Sequence, residues 1–205
     1  MSLEIERKFL LKNSQILDFL KEAGVVFKHL EISQFYTKIT QNEEIRFRSE
    51  EDKFIKTVKI GKYLIREENE EFCEKVEFKK ALKNRIGSVI LKDRYIFKLN
   101  NNPCNIDIFK NELNGLCTFE IEFSDENEAV FFNLPPFLEN FCLSDVTCDK
   151  RYKNKFLAIH ANENEQIDYK RAYKIIKEKE ILPNFATNLK SGEALRVLFV
   201  SIFKV

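Results

Sequence analysis

The chain of 205 residues has two histidines and no tryptophan, and its five cysteines form no C-x-x-C pair. His29 and His160 are so far apart in sequence that neither a histidine-built zinc site nor a Ser-His-Asp triad is expected. Cys73, Cys104, Cys117, Cys142 and Cys148 are odd in number and several have apolar neighbours, which reads as reduced core thiols rather than a disulfide frame. Charge of neither sign is in excess: 34 Lys and Arg face 33 Asp and Glu, a formal charge of +1. Bulk charge therefore calls for neither nucleic acid nor an anionic membrane as partner. No run approaches the roughly 18 apolar residues that span a bilayer. The N-terminus has acids at positions 4 and 6 and no apolar stretch of the signal-peptide kind, so the expected location is cytoplasmic. Chemistry is left to carboxylates, lysine, arginine and tyrosine.

Charged residues at 33% and hydrophobic ones at 44% describe a soluble globular protein, long enough for one domain with a real core and an appendage. The informative pattern is alternation. Glu4, Glu6 and Lys8 share one face of a strand while Ile5, Arg7 and Phe9 take the other. Alone, this reads as an edge strand with a solvated face. It returns, however, with Arg46 and Arg48 around Phe47, with Lys59, with Lys92 and Arg94, with Asp107 between Ile106 and Ile108, and with Glu120 and Glu122 among Phe119, Ile121 and Phe123. If the strands close with these faces inward, carboxylates and Arg/Lys cluster in one lumen, which suits a polyanion bound together with a divalent metal.

Asn13-Ser14 and the stripe Ile16, Leu17, Leu20, Ala23, stopping at Gly24, predict a helix over 14–23 that plugs or braces the barrel. Strands are expected over 25–39, around Arg46, over 54–60, around Lys92, and over 104–109 and 117–123. Short helices are expected at 76–84, from Ser124 to about 132, and at 151–160. The fold class is α+β and β-dominated: a closed antiparallel barrel of eight strands with a few peripheral helices. Residues 161–205 read as a helical C-terminal extension. The apolar stripe Leu195, Leu198, Phe199, Ile202, Phe203 calls for cover by the barrel, a second subunit as in a homodimer, or an additional helical domain.

The stretch Glu4-Ile5-Glu6-Arg7-Lys8 resembles the signature of the CYTH superfamily, the triphosphate tunnel metalloenzymes. Further pieces follow in the family's order: Gln34 with Tyr36, Arg46-Phe47-Arg48, Thr57-Val58-Lys59, Arg66 with Glu68 and Glu70, Lys92-Asp93-Arg94-Tyr95, Ile106-Asp107, Glu120-Ile121-Glu122, and Val146-Thr147 with Asp149 to Asn154. The resemblance covers residues 1–160 and implies a tunnel domain there. It implies Glu4, Glu6, Glu120 and Glu122 as ligands of Mg2+ or Mn2+, hard cations that take oxygen donors. Glu68, Glu70 and Asp107 are weaker candidates, for orienting basic residues or holding a second ion. Lys8, Arg46, Arg48, Lys59, Arg94 and Arg151 are assigned to substrate phosphates, because guanidinium forks and ammonium charges match phosphate oxygens; any one could instead pair with a tunnel acid.

In one branch of the family, bacterial enzymes that split inorganic triphosphate, a Lys–Tyr dyad handles the proton. The matching residues are Lys92 and Tyr36, with a tyrosine acidified by an adjacent ammonium as base. The alternative is a wall aromatic and one more phosphate ligand. Asp149 to Lys155 and Gln34-Phe35-Tyr36 look most like that branch, which implies metal-dependent hydrolysis of inorganic tripolyphosphate to pyrophosphate and phosphate. Kept open beside it are a thiamine triphosphatase or nucleoside triphosphatase, a class IV-type adenylyl cyclase, and a non-catalytic polyphosphate-binding module.

Overall fold

The period-two pattern is realised in nine strands of a single antiparallel sheet. The structure is a computed structural model that describes residues 5–62 and 65–161. Glu4, the side chain of Arg66 and the expected extension beyond Ala161 lie outside the described residues.

In chain order the elements are β1 (Ile5–Leu11), α1 (Gln15–Glu22), β2 (Lys28–Ile39), β3 (Glu43–Glu50), β4 (Lys53–Lys62), β5 (Ile65–Phe72), α2 (Lys75–Lys83), β6 (Ile86–Leu99), β7 (Asn102–Phe109), β8 (Cys117–Phe123), α3 (Glu126–Phe131), α4 (Pro136–Glu139), β9 (Cys142–Asp145) and α5 (Asn154–His160). The strands lie in the order β5-β4-β3-β2-β6-β7-β8-β1-β9. The expected count was eight; the ninth, β9, is four residues long and too short to carry a legible alternation. Pairing runs from β5 at one edge to β9 at the other, and among the described residues no ladder joins these edges. The sheet is open where a closed barrel was expected. No helix among the described residues is long and apolar enough to cross a membrane.

One face of the sheet is the main core. Phe9, Leu11, Phe97, Cys104, Ile106, Phe119, Ile121 and Phe123 pack with Ile16, Leu17 and Leu20 of α1, each large side chain contributing about 1.5–3 kcal/mol of burial. Phe35 and Phe47, stacked at 5.5 Å, receive Phe78 of α2. Helix α1 thus braces the apolar face and plugs nothing. Its start is held by Asn13, whose Oδ1 accepts from the Gln15 amide at 2.9 Å. At α3 the capping side chain is Asp125, which accepts from the amides of Asn127 and Glu128, and not the expected Ser124.

Among the described residues, the opposite face is covered at one end only. There Leu10, Tyr36, Ile90 and Phe109 meet Val146, Tyr152, Leu157 and Ala158, so α5 and the turn before it close that end. Gly87, with φ of +69°, permits this approach, since a Cβ there would sit 2.2 Å from the Ala158 carbonyl oxygen. Beyond that end the face is charged.

Candidate active site

Residues directly opposite in an antiparallel ladder share a face. Lys8 lies opposite Glu120, and Glu6 opposite Glu122. Asp107 lies opposite Thr118 on one side and Arg94 on the other. Lys92 faces Ile32, Gln34 faces Arg48, and Tyr36 faces Arg46. Arg46 then faces Thr57, which faces Glu70, while Lys59 faces Glu68. Apart from Glu4 and Arg151, the residues expected in the site therefore share one face.

They form two ion-pair groups with β2 between them. In the first, the Lys92 ammonium donates to Asp107 Oδ2 at 2.6 Å, and Arg94 donates to both Asp107 oxygens at 2.7 Å. Arg94 Nη2 also reaches Glu120 at 3.1 Å, and Glu120 pairs with Lys8 at 2.8 Å. Lys92 is 2% exposed and Asp107 not at all. Burial, with Arg94's charge beside it, brings the Lys92 ammonium down to about 8, against the pull of Asp107 and Glu120. Burial favours a protonated Asp107, but the cations of Arg94 and Lys92 overcome it and hold this carboxyl well below the usual range. Glu120 is held down in the same way by Lys8 and Arg94. Lys8 is lifted, because Glu120 outweighs the burial that would lower it. Asp107, expected only as a weak candidate, is the hub of this group.

The second group lies on β3, β4 and β5. Arg46 donates to Thr57 Oγ1 and to Glu70, each at 3.1 Å, and Thr57 donates to Glu70 at 2.8 Å. Arg48 lies 3.8 Å from Glu70 and 3.3 Å from Glu50. Lys59 pairs with Glu68 at 2.8 Å. Burial and then Arg46's charge lower the Arg48 guanidinium. Glu70 is lowered despite its partial burial, through Thr57, Arg48 and Arg46. Thr57 is fully buried and joins this group, a role that T-V-K on a strand does not announce.

Tyr36 and Lys92 do not form the expected acid-tuned pair. Tyr36 sits in the apolar cluster with Phe109 and Ile90, and burial pushes its phenol up, with Arg46 as the cation opposing that. The ammonium of Lys92 lies 5.3 Å from the Phe109 ring centre and bonds Asp107. Nor does Arg151 join the face groups: its guanidinium grips Asp149 at 2.9 and 3.0 Å, at a half-exposed turn.

Among the described residues no three His, Cys, Asp or Glu side chains form a ready cluster for an ion. The donors still fit a hard cation. Glu6 and Glu122 are like charges directly across a ladder, with the cations of Lys8 and Arg94 already acting on Glu6, and oxygen donors so placed suit a hard cation. Glu120 lies one pair further along, although it is engaged by Lys8 and Arg94.

No family model matches the chain. An inorganic triphosphatase from Nitrosomonas europaea is 33% identical to it over 126 residues, which are 61% of this chain and 81% of that protein. A crystal structure of an inorganic triphosphatase matches with a TM-score of 0.57 at 30% identity, over 78% of this chain and 96% of the other. A Bacillus halodurans structure described as a candidate adenylate cyclase shares the fold, with a TM-score of 0.52 at 19% identity over 62% of this chain and 84% of its own. Together with the ordered motifs and their convergence on one face, this similarity establishes that the chain belongs to the CYTH superfamily of triphosphate tunnel metalloenzymes, alongside its inorganic triphosphatases.

Proposed function

We propose that this chain hydrolyses inorganic tripolyphosphate to pyrophosphate and phosphate on its charged face. The observation that carries the reading is the gathering of Lys8, Arg94, Arg46, Arg48 and Lys59 on one face, each paired to an acid. A triphosphate brings about four to five negative charges near neutral pH, enough to draw these cations from their carboxylate partners. Those carboxylates then need a cation of their own. Glu4, Glu6, Glu120 and Glu122 would hold Mg2+ or Mn2+, which when bound neutralises phosphate charge and polarises its oxygens.

Burial of the charged side chains, where no helix among the described residues covers the middle of the face, supports a sheet curled around them as a tunnel. Water attacks the terminal phosphorus, the bridging P–O bond breaks and pyrophosphate leaves. Lys92 accepts the water's proton: at about 8 its ammonium is far nearer neutrality than the Tyr36 phenol.

Phosphate release from tripolyphosphate, thiamine triphosphate, ATP and long polyphosphate, each with Mg2+ and with Mn2+, tests the proposal. Tripolyphosphate should be cleaved fastest, and EDTA should abolish release. Equal or faster release from ATP would make the enzyme a nucleotidase, and binding of long polyphosphate without release would make the fold a binding module.

A further inference from the structure

Between the two ion-pair groups, β2 presents one polar side chain at mid-face. Gln34 is 1% exposed, and its Nε2 has no hydrogen-bond partner among the described residues. It lies directly opposite Arg48 and one same-face step from Tyr36, which faces Arg46. The Nε of Arg46 is also buried without an acceptor, and that of Arg48 has only the Glu50 carboxylate, 3.3 Å away and outside bonding geometry. Two N–H donors are thus unsatisfied and a third is loosely held by Glu50, at neighbouring positions of one face, and an unsatisfied donor costs more when it is buried. Donors without acceptors match an oxygen that carries lone pairs and no hydrogen.

We propose that Gln34 is a phosphate-binding residue, its Nε2 joining the Nε groups of Arg46 and Arg48 in a three-donor seat for the non-bridging oxygens of a substrate phosphoryl group. The inference rests on the proposed triphosphatase reading and deepens it. Chemistry explains why an amide stands here. Arg48's guanidinium already suffers from Arg46's charge, so a third cation would be repelled. A carboxylate would satisfy both guanidinium groups itself and turn the phosphate away. An amide adds a donor and no charge.

Tripolyphosphate affinity by calorimetry and steady-state kinetics on the full chain are measured for the wild type, Gln34→Met and Gln34→Glu, with thermal unfolding as the check on folding. Gln34→Met removes the donor at similar volume and should weaken affinity roughly tenfold or more, through KM far more than kcat, as loss of a hydrogen bond to a charged group does. Gln34→Glu should weaken it further while melting no lower than Gln34→Met, because the new carboxylate pairs with Arg46 and Arg48. A purely structural glutamine would lose stability in both variants and leave KM alone. Wild-type turnover together with unchanged KM in both variants overturns this role and leaves the triphosphatase reading standing. If the wild type binds no tripolyphosphate, both fall.

Discussion

The two ion-pair groups use the same residue types on the same sheet face, yet they differ in what surrounds them. Asp107 has no exposed side-chain surface, whereas Glu70 keeps 42%. In the first group water is excluded, so charges must be matched internally, and removing one partner strands the rest. In the second, Glu70 is open to water although Arg46 and Arg48 are only 15% and 17% exposed, so the pairs that end on this carboxylate are screened and freer to change partners. The buried group sets the position and protonation of Lys92, Arg94 and Lys8. On the proposed reading, Glu70 is the carboxylate that an incoming polyanion displaces at lowest cost.

The sharpest way to break this contrast is Asp107→Ala. It leaves Lys92 and Arg94 buried without their carboxylate and should cost about 3–5 kcal/mol, read by urea denaturation. A loss under about 1 kcal/mol would put the two groups on an equal footing.

Next in size is the effect of Lys92→Met, a substitution of similar length that keeps the packing near Phe109. It should lower kcat by about 10²–10⁴. In the wild type, kcat/KM reports the free enzyme and should rise with pH to a half-maximum at about 8, as Lys92 becomes neutral; the variant should lack that limb. For stability the sign follows from the same depression. Between about 8 and the ordinary 10.5, the unfolded chain holds a proton that the folded one has lost, so this group adds stability as pH rises through that window. A pH profile unchanged by the substitution would remove Lys92 from the proton transfer.

The smallest effect is expected from Glu70→Gln in the second group. Stability should change by less than about 1 kcal/mol, while KM for tripolyphosphate falls by about twofold to fivefold as Arg46 and Arg48 are released. A loss above about 2 kcal/mol would show that this group is as structural as the first.

Much of the site was legible in the chain because strand parity is a local property. Lys8, Arg46, Lys92 and Glu120 could be assigned to one face from neighbours two residues away, and the registers agree. Helix α1 was legible as an amphipathic stripe, but not the side of the sheet it packs on. Cys142–Asp145 offered too few residues for a pattern, so the ninth strand was missed and the connectivity looked ready to close. Gln34 and Thr57 belong to motif pieces of the family but carry no charge to suggest a role, and the partners they meet appear only through what lies opposite.

Composition and alternation by themselves narrowed the candidates for the chemistry to carboxylates, lysine, arginine and tyrosine and determined which of the charged ones point the same way. Only the tertiary structure decided the strand order, the open edges, and that Lys92 bonds Asp107 while Tyr36 is sealed in an apolar cluster. The physical reason is range. Which way a side chain points depends on its own backbone, but whether a charge is paired, dry or wet depends on strands brought together from distant parts of the chain.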